Sequence, residues 1–146
     1  MSWPPSHVAR TAMLWRHARS CYQAATAADV PSAQKQELLN EALKNIKFAI
    51  QYDGSNSDAR RWFGTILQEH SAFQGFKQQI ADAFEVEAQW KAAIAINPDD
   101  ATAHHLLGRW CFTVANMAWY QRSIASTLFA EPPSSTFEEA RDYFAG

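Results

Sequence analysis

Histidine, cysteine and arginine are the side chains of this sequence whose type and spacing could do chemistry. His104 and His105 are neighbours, and neighbouring residues on a helix diverge by about 100°. No acidic residue or cysteine follows His70, His104 or His105 at three or four residues, so no metal-binding helix face is expected. Cys21 and Cys111 each fall inside an apolar helical stripe, the setting of a buried reduced thiol and not of a nucleophile. No G-x-x-x-x-G-K, G-x-S-x-G or H-E-x-x-H pattern occurs. The expectation is a non-enzyme with no cofactor and no metal.

Arginine offers non-covalent chemistry instead. All five histidines and six of the eight arginines (10, 16, 19, 60, 61 and 109) fall in three windows, 5–26, 57–72 and 101–117. Their formal charges are +3, 0 and +1, so the rest of the chain carries −6 of a net −2. Take Arg19, Gly64 and Gly108 as equivalent positions. Three residues before them stand Arg16, Arg61 and His105; one after, Ser20, Thr65 and Arg109; four after, Gln23, Gln68 and Phe112. Those offsets share one helical face. Planar guanidinium groups hold carboxylate or phosphate through paired hydrogen bonds, so an acidic or phosphorylated protein segment is the expected guest. Each exposed contact contributes about 0.5–1 kcal/mol, so several must act together. The plainer alternative is a solvated surface on which Arg60 and Arg61 pair with Asp58 or Glu41. A net charge of −2 argues against nucleic acid.

The elements that position these groups follow from an internal repeat. Residues 48–67 laid over 92–111 match Ala49 to Ala93, Ile50 to Ile94, Ala59 to Ala103, Phe63 to Leu107 and Gly64 to Gly108, an offset of 44. A further step of 45 puts Ala18 under Phe63, Arg19 under Gly64 and Tyr22 under Leu67. Apolar residues at three- and four-residue steps predict helices at about 8–25, 33–52, 57–72, 76–96, 101–116, 118–130 and 135–146. Asp29-Val-Pro-Ser32, Asp53-Gly-Ser-Asn56, Phe73-Gln-Gly75 and Asn97-Pro-Asp-Asp100 punctuate the first five. Ser135-Thr-Phe-Glu138 reads as a capping box. The last helix carries Phe137, Ala140, Tyr143 and Phe144 to the end of the chain without a partner, which reads as a truncation.

Paired helices in tandem bury their second face only by stacking. The spacings His104-x2-Leu-Gly-x2-Cys111 and Trp15-x2-Ala-Arg-x2-Tyr22 follow the first helix of a tetratricopeptide repeat, although 44 residues is also an armadillo length. The expected fold is all-α, with tetratricopeptide-like antiparallel helix pairs in a right-handed superhelix of about seven helices. Its units would be about 5–53, 54–97 and 98–132, with a closing helix at 135–146. In such superhelices the first helices line the concave surface, so the groove should be basic and the outside acidic. The six tryptophans (3, 15, 62, 90, 110 and 119) mostly sit at stripe positions and are expected in the core. No run approaches the roughly 20 apolar residues of a membrane helix, and Met1-Ser-Trp-Pro-Pro-Ser-His lacks the form of a signal peptide.

The runs His105-Leu-Leu-Gly-Arg-Trp-Cys111, Ala118-Trp-Tyr-Gln-Arg-Ser-Ile-Ala125 and Leu128-Phe-Ala-Glu-Pro-Pro-Ser-Ser-Thr-Phe-Glu-Glu-Ala140 resemble the regulator of microtubule dynamics family. Trp15-Arg-His-Ala-Arg19 and Gly75-Phe-Lys-Gln-Gln-Ile80 are similar to it too, so the resemblance covers about residues 12–146. It implies a cytoplasmic protein of microtubules and spindle poles that supports chromosome segregation. A relative in that family is a mitochondrial outer-membrane protein with an anchor, a coiled coil and a repeat domain credited with binding phospholipid. This sequence shows neither anchor nor coiled coil, so the soluble branch is the better match. Phospholipid is the alternative ligand. The acidic tails of tubulin are the guest that the basic groove and the resemblance together favour.

Overall fold

The computed structural model describes residues 6–115, and five α-helices account for most of them: α1 (His7–Ala25), α2 (Ser32–Tyr52), α3 (Ser57–Ser71), α4 (Phe76–Ile96) and α5 (Ala101–Ala115). The expected helices at 118–130 and 135–146 lie outside the described residues. Local chemistry sets several boundaries. Ser6 Oγ accepts from the Ala9 amide, Asn56 Oδ1 from Ala59, and Asp100 Oδ1 from Ala103, each satisfying a donor that the first turn leaves open. α2, expected from about residue 33, starts without a side-chain cap. Asp29 takes a positive φ of 64°, the helix begins on Ser32 itself, and the Pro31 carbonyl accepts from Lys35.

α1 packs antiparallel on α2 and α3 on α4; α3 also packs on α2 and α1, and α5 on α4. This is the stacking of a tetratricopeptide-like array. The repeat alignment is legible in burial. Ala49, Ala93, Ala59 and Ala103 are all fully buried, and Phe63 and Leu107 both lie in one shared core with Trp15, Ile46 and Trp90. Small residues there let helices approach, and Gly64 does so most closely. A Cβ at that position would stand 2.4 Å from Trp90 Nε1, and the same indole N–H donates to the Arg61 carbonyl at 3.1 Å. Glycine therefore admits the N–H edge of the indole against the α3 backbone, where any Cβ would collide with it.

In the first pair the close approach falls elsewhere. Arg19 was the expected counterpart of Gly64, but Ala18 is the fully buried residue and Arg19 is half-exposed. The physical reason is that a long charged side chain cannot fill a contact made at backbone distance. α1 and α2 are also tied by a buried hydrogen bond from Thr11 Oγ1 to the Ala49 carbonyl, 2.8 Å.

Candidate functional site

On α1, Arg16 and Arg19 flank the same indole. Their guanidinium carbons stand 5.3 and 5.2 Å from the ring centroid of Trp15, within reach of its electron-rich face. Trp15 itself is buried, so each cation rests on a fixed platform. Further along, Tyr22 meets Trp62 of α3 edge to face, centroids 5.4 Å apart. The Tyr22–Trp62 contact joins α1 to α3, and the two arginines stand on Trp15, two turns before Tyr22 on α1. Arg19 and this aromatic platform are not among the groove residues expected from the sequence, which sets Arg19 as the equivalent of Gly64 and the tryptophans in the core. The four-residue step from Trp15 to Arg19 was the available signal, since such pairs face each other on a helix.

The arginines of α3 are employed differently. Arg61 Nη1 pairs with Asp100 Oδ2 at 2.7 Å and Nη2 with Asp58 Oδ1 at 3.2 Å, leaving its side chain 19% exposed. It was expected as a free rung of the ladder. Two carboxylates instead take its donors, one of them on a buried residue that also caps α5. Arg60 donates to the Gly54 carbonyl at 2.9 Å and to Gln89 Oε1 at 3.0 Å, bracing the α2–α3 turn against α4. Glu69, whose partner is Lys35 at 3.8 Å, is close enough to Tyr22 to help burial hold the phenol pKa above its ordinary value. Among the described residues the α3 stretch is therefore charge-balanced.

The hydroxyl rungs are also spent locally. Ser20 Oγ donates to the Arg16 carbonyl and Thr65 Oγ1 to the Arg61 carbonyl, both at 3.1 Å. A hydroxyl donating to its own helix cannot donate to a carboxylate at the same time. Gln23 is exposed on α1. Gln68 lines a cleft of about 300 Å³ among α3, α4 and α5 with Ser71, Asp82 and Trp110. His105, Arg109 and Phe112 are all exposed on α5.

Cys21 and Cys111 are both buried. Cys21 Sγ lies 3.7 Å from His17 Nε2, which is 4.0 Å from Glu41. Burial, and then the Glu41 charge, raise the Cys21 pKa, which keeps the thiol protonated and a poor nucleophile. His70 bonds to Asn40 Oδ1 at 2.8 Å and His104 to the Pro98 carbonyl at 2.9 Å, so both rings have structural partners. Among the described residues no group of three or more His, Cys, Asp or Glu side chains could hold a metal ion, and no helix is long and apolar enough to cross a membrane.

The profile of the family described as Regulator of microtubule dynamics protein 1-3 matches residues 3–146. The rat protein named Regulator of microtubule dynamics protein 1 is 43% identical over 130 residues, which are 89% of this chain and 42% of the rat protein. The human protein of the same name is 41% identical, over 89% of this chain and 41% of its own length. Regulator of microtubule dynamics protein 3 of Xenopus laevis is 32% identical, over 90% of this chain and 28% of its own length. The chain thus spans less than half the length of these relatives.

Proposed function

This chain belongs to the regulator of microtubule dynamics family, and from that membership we propose that it is a non-enzymatic binding module that associates with microtubules. It holds an acidic segment of its partner, such as a tubulin tail, against the arginine-bearing side of its first helices. The observation that supports this most is the pair Arg16 and Arg19 on Trp15. Burial of the indole pre-orders two cations whose remaining guanidinium N–H groups face a carboxylate at little entropic cost. Arg109, exposed on α5, and Gln23 on α1 extend the acidic segment's contacts. Arg61 supports the site from behind by fixing the start of α5 through Asp100. A role at spindle poles in chromosome segregation, in the cytoplasm, goes with this reading.

Microtubule co-sedimentation of the triple variant Arg16→Glu/Arg19→Glu/Arg109→Glu tests it, at low and at high salt. The wild-type chain should pellet with microtubules at low salt and be released as salt screens the contact. The variant should stay in the supernatant at both. Pelleting of the variant like the wild type would refute the reading. Phospholipid is the alternative ligand, since the same arginines suit a phosphate headgroup; extraction of the purified chain with organic solvent and mass spectrometry separates the two.

A further inference from the structure

The side of α1 and α2 turned away from α3 is the end face of the described stack, and it is not built like an end. Terminal repeats of a solenoid present a polar outer face, because nothing stacks on it. Here Met13 and Phe48 are 64% and 44% exposed, and with Leu14 and Tyr52 they floor an open groove of about 610 Å³ between the two helices. Arg10 and His17 form its edges. Arg10 rests on the Tyr52 ring, 5.3 Å from its centroid, so its charge is held at the groove mouth. Among the described residues no carboxylate lines the groove; Glu41, at one end, lies 4.0 Å from His17 and accepts from Asn45. Lys44 stands one turn before Phe48 on the same side of α2 and is exposed.

We propose that this groove receives an acidic amphipathic helix of a partner protein, stacked where a preceding repeat would lie. Its apolar stripe would cover Met13, Leu14 and Phe48, and its flanking carboxylates would meet Arg10 and Lys44. Charge selects this occupant. A second copy presenting the same face would bring Arg10 and Lys44 towards a face whose lining carries the same cations, whereas an acidic helix meets them with opposite charge. A groove between two helices also fits the ridge of a third helix, as in the packing of repeats on one another. The groove is on a different face from Arg16 and Arg19, so the inference does not rest on microtubule association.

The test uses two labelled 18-residue helical peptides with a leucine stripe, one flanked by glutamates and one by lysines, titrated with the 146-residue chain in fluorescence anisotropy. The acidic peptide should bind and the basic one should not. Phe48→Ala and Met13→Glu, both at exposed positions that leave the fold intact by circular dichroism, should each weaken the acidic peptide about tenfold. Arg16→Glu/Arg19→Glu should leave that binding unchanged. Equal binding of both peptides, no saturable binding, or sensitivity to Arg16 and Arg19 instead of Phe48 would overturn the proposal. So would a dimer that Met13→Glu dissolves, or Phe48-dependent capture by phosphatidylserine vesicles without peptide binding.

Discussion

The first helix pair and the second are built from the same pattern, yet they use arginine and small residues in opposite ways. In the α1–α2 pair the arginines stand outside, stacked on Trp15, and the helices meet through Ala18 and the Thr11–Ala49 bond. In the α3–α4 pair the arginines point inward to Asp100, Asp58, Gln89 and the Gly54 carbonyl, and the helices meet through Gly64 against Trp90. The difference teaches that a repeat position does not assign a job to an arginine. The nearest carboxylate does. Asp100 is placed by its duty as the α5 cap, and Arg61 follows it. α1 carries no acid, and among the described residues neither Arg16 nor Arg19 is held in an ion pair.

The comparison predicts a graded set of losses in thermal or urea unfolding. The largest is Gly64→Ala. Alanine gains about 1 kcal/mol of helix propensity over glycine, but its methyl group would collide with a fully buried indole. Overpacking of that kind costs about 3 kcal/mol, so the collision wins and the variant should be clearly destabilised. Pairing it with Trp90→Leu should recover part of the loss by removing the ring that the methyl group meets. A Gly64→Ala chain as stable as wild type would mean that the second pair is no tighter than the first.

Arg61→Met comes next, at about 1.5 kcal/mol, because it leaves a buried carboxylate without the partly exposed cation that bonds it. Arg61→Met/Asp100→Asn should restore much of this, since asparagine keeps the cap on Ala103 and carries no charge. The same substitution at Arg16 or Arg19 should cost less than about 1 kcal/mol, the scale of a partly exposed cation–π contact. Equal losses at Arg16 and Arg61 would erase the proposed division between outward and inward arginines.

The smallest effect is in the pH dependence. Burial lowers the His70 pKa, with Lys47 acting in the same direction and Asp82 opposing. The unfolded chain therefore takes up the proton more readily than the folded one. The stabilisation is present above about pH 6.5, the ordinary histidine value, and is lost as pH falls from there through the lower folded value. Urea titrations between pH 7.5 and 5.5 should show a shallower decline for His70→Gln than for wild type. No change in slope would show that His70 is not differentially protonated on folding.

Much of the architecture was legible in order along the chain. The 44-residue offset, the three- and four-residue apolar steps and the turns at Asp53–Asn56 and Asn97–Asp100 located all five described helices within about a residue, because these signals are local. Repeat identity named the buried alanines and Gly64. The candidate face was legible only in part. Residue type pointed to arginine and to an acidic guest, and the helical offsets placed Arg16 and Gln23 on an exposed side of α1.

What the sequence determined by itself was therefore the class of fold, the period, the family and the kind of charge on offer. Only the tertiary structure decided which cations are outward. Arg61 and Asp100 are 39 residues apart and meet because α5 starts beside α3, and no periodicity within one helix carries that information. Likewise Arg19 became a surface group because Ala18, one residue earlier, took the contact with α2. That choice depends on the distance between two helix axes, which a repeat alignment does not contain.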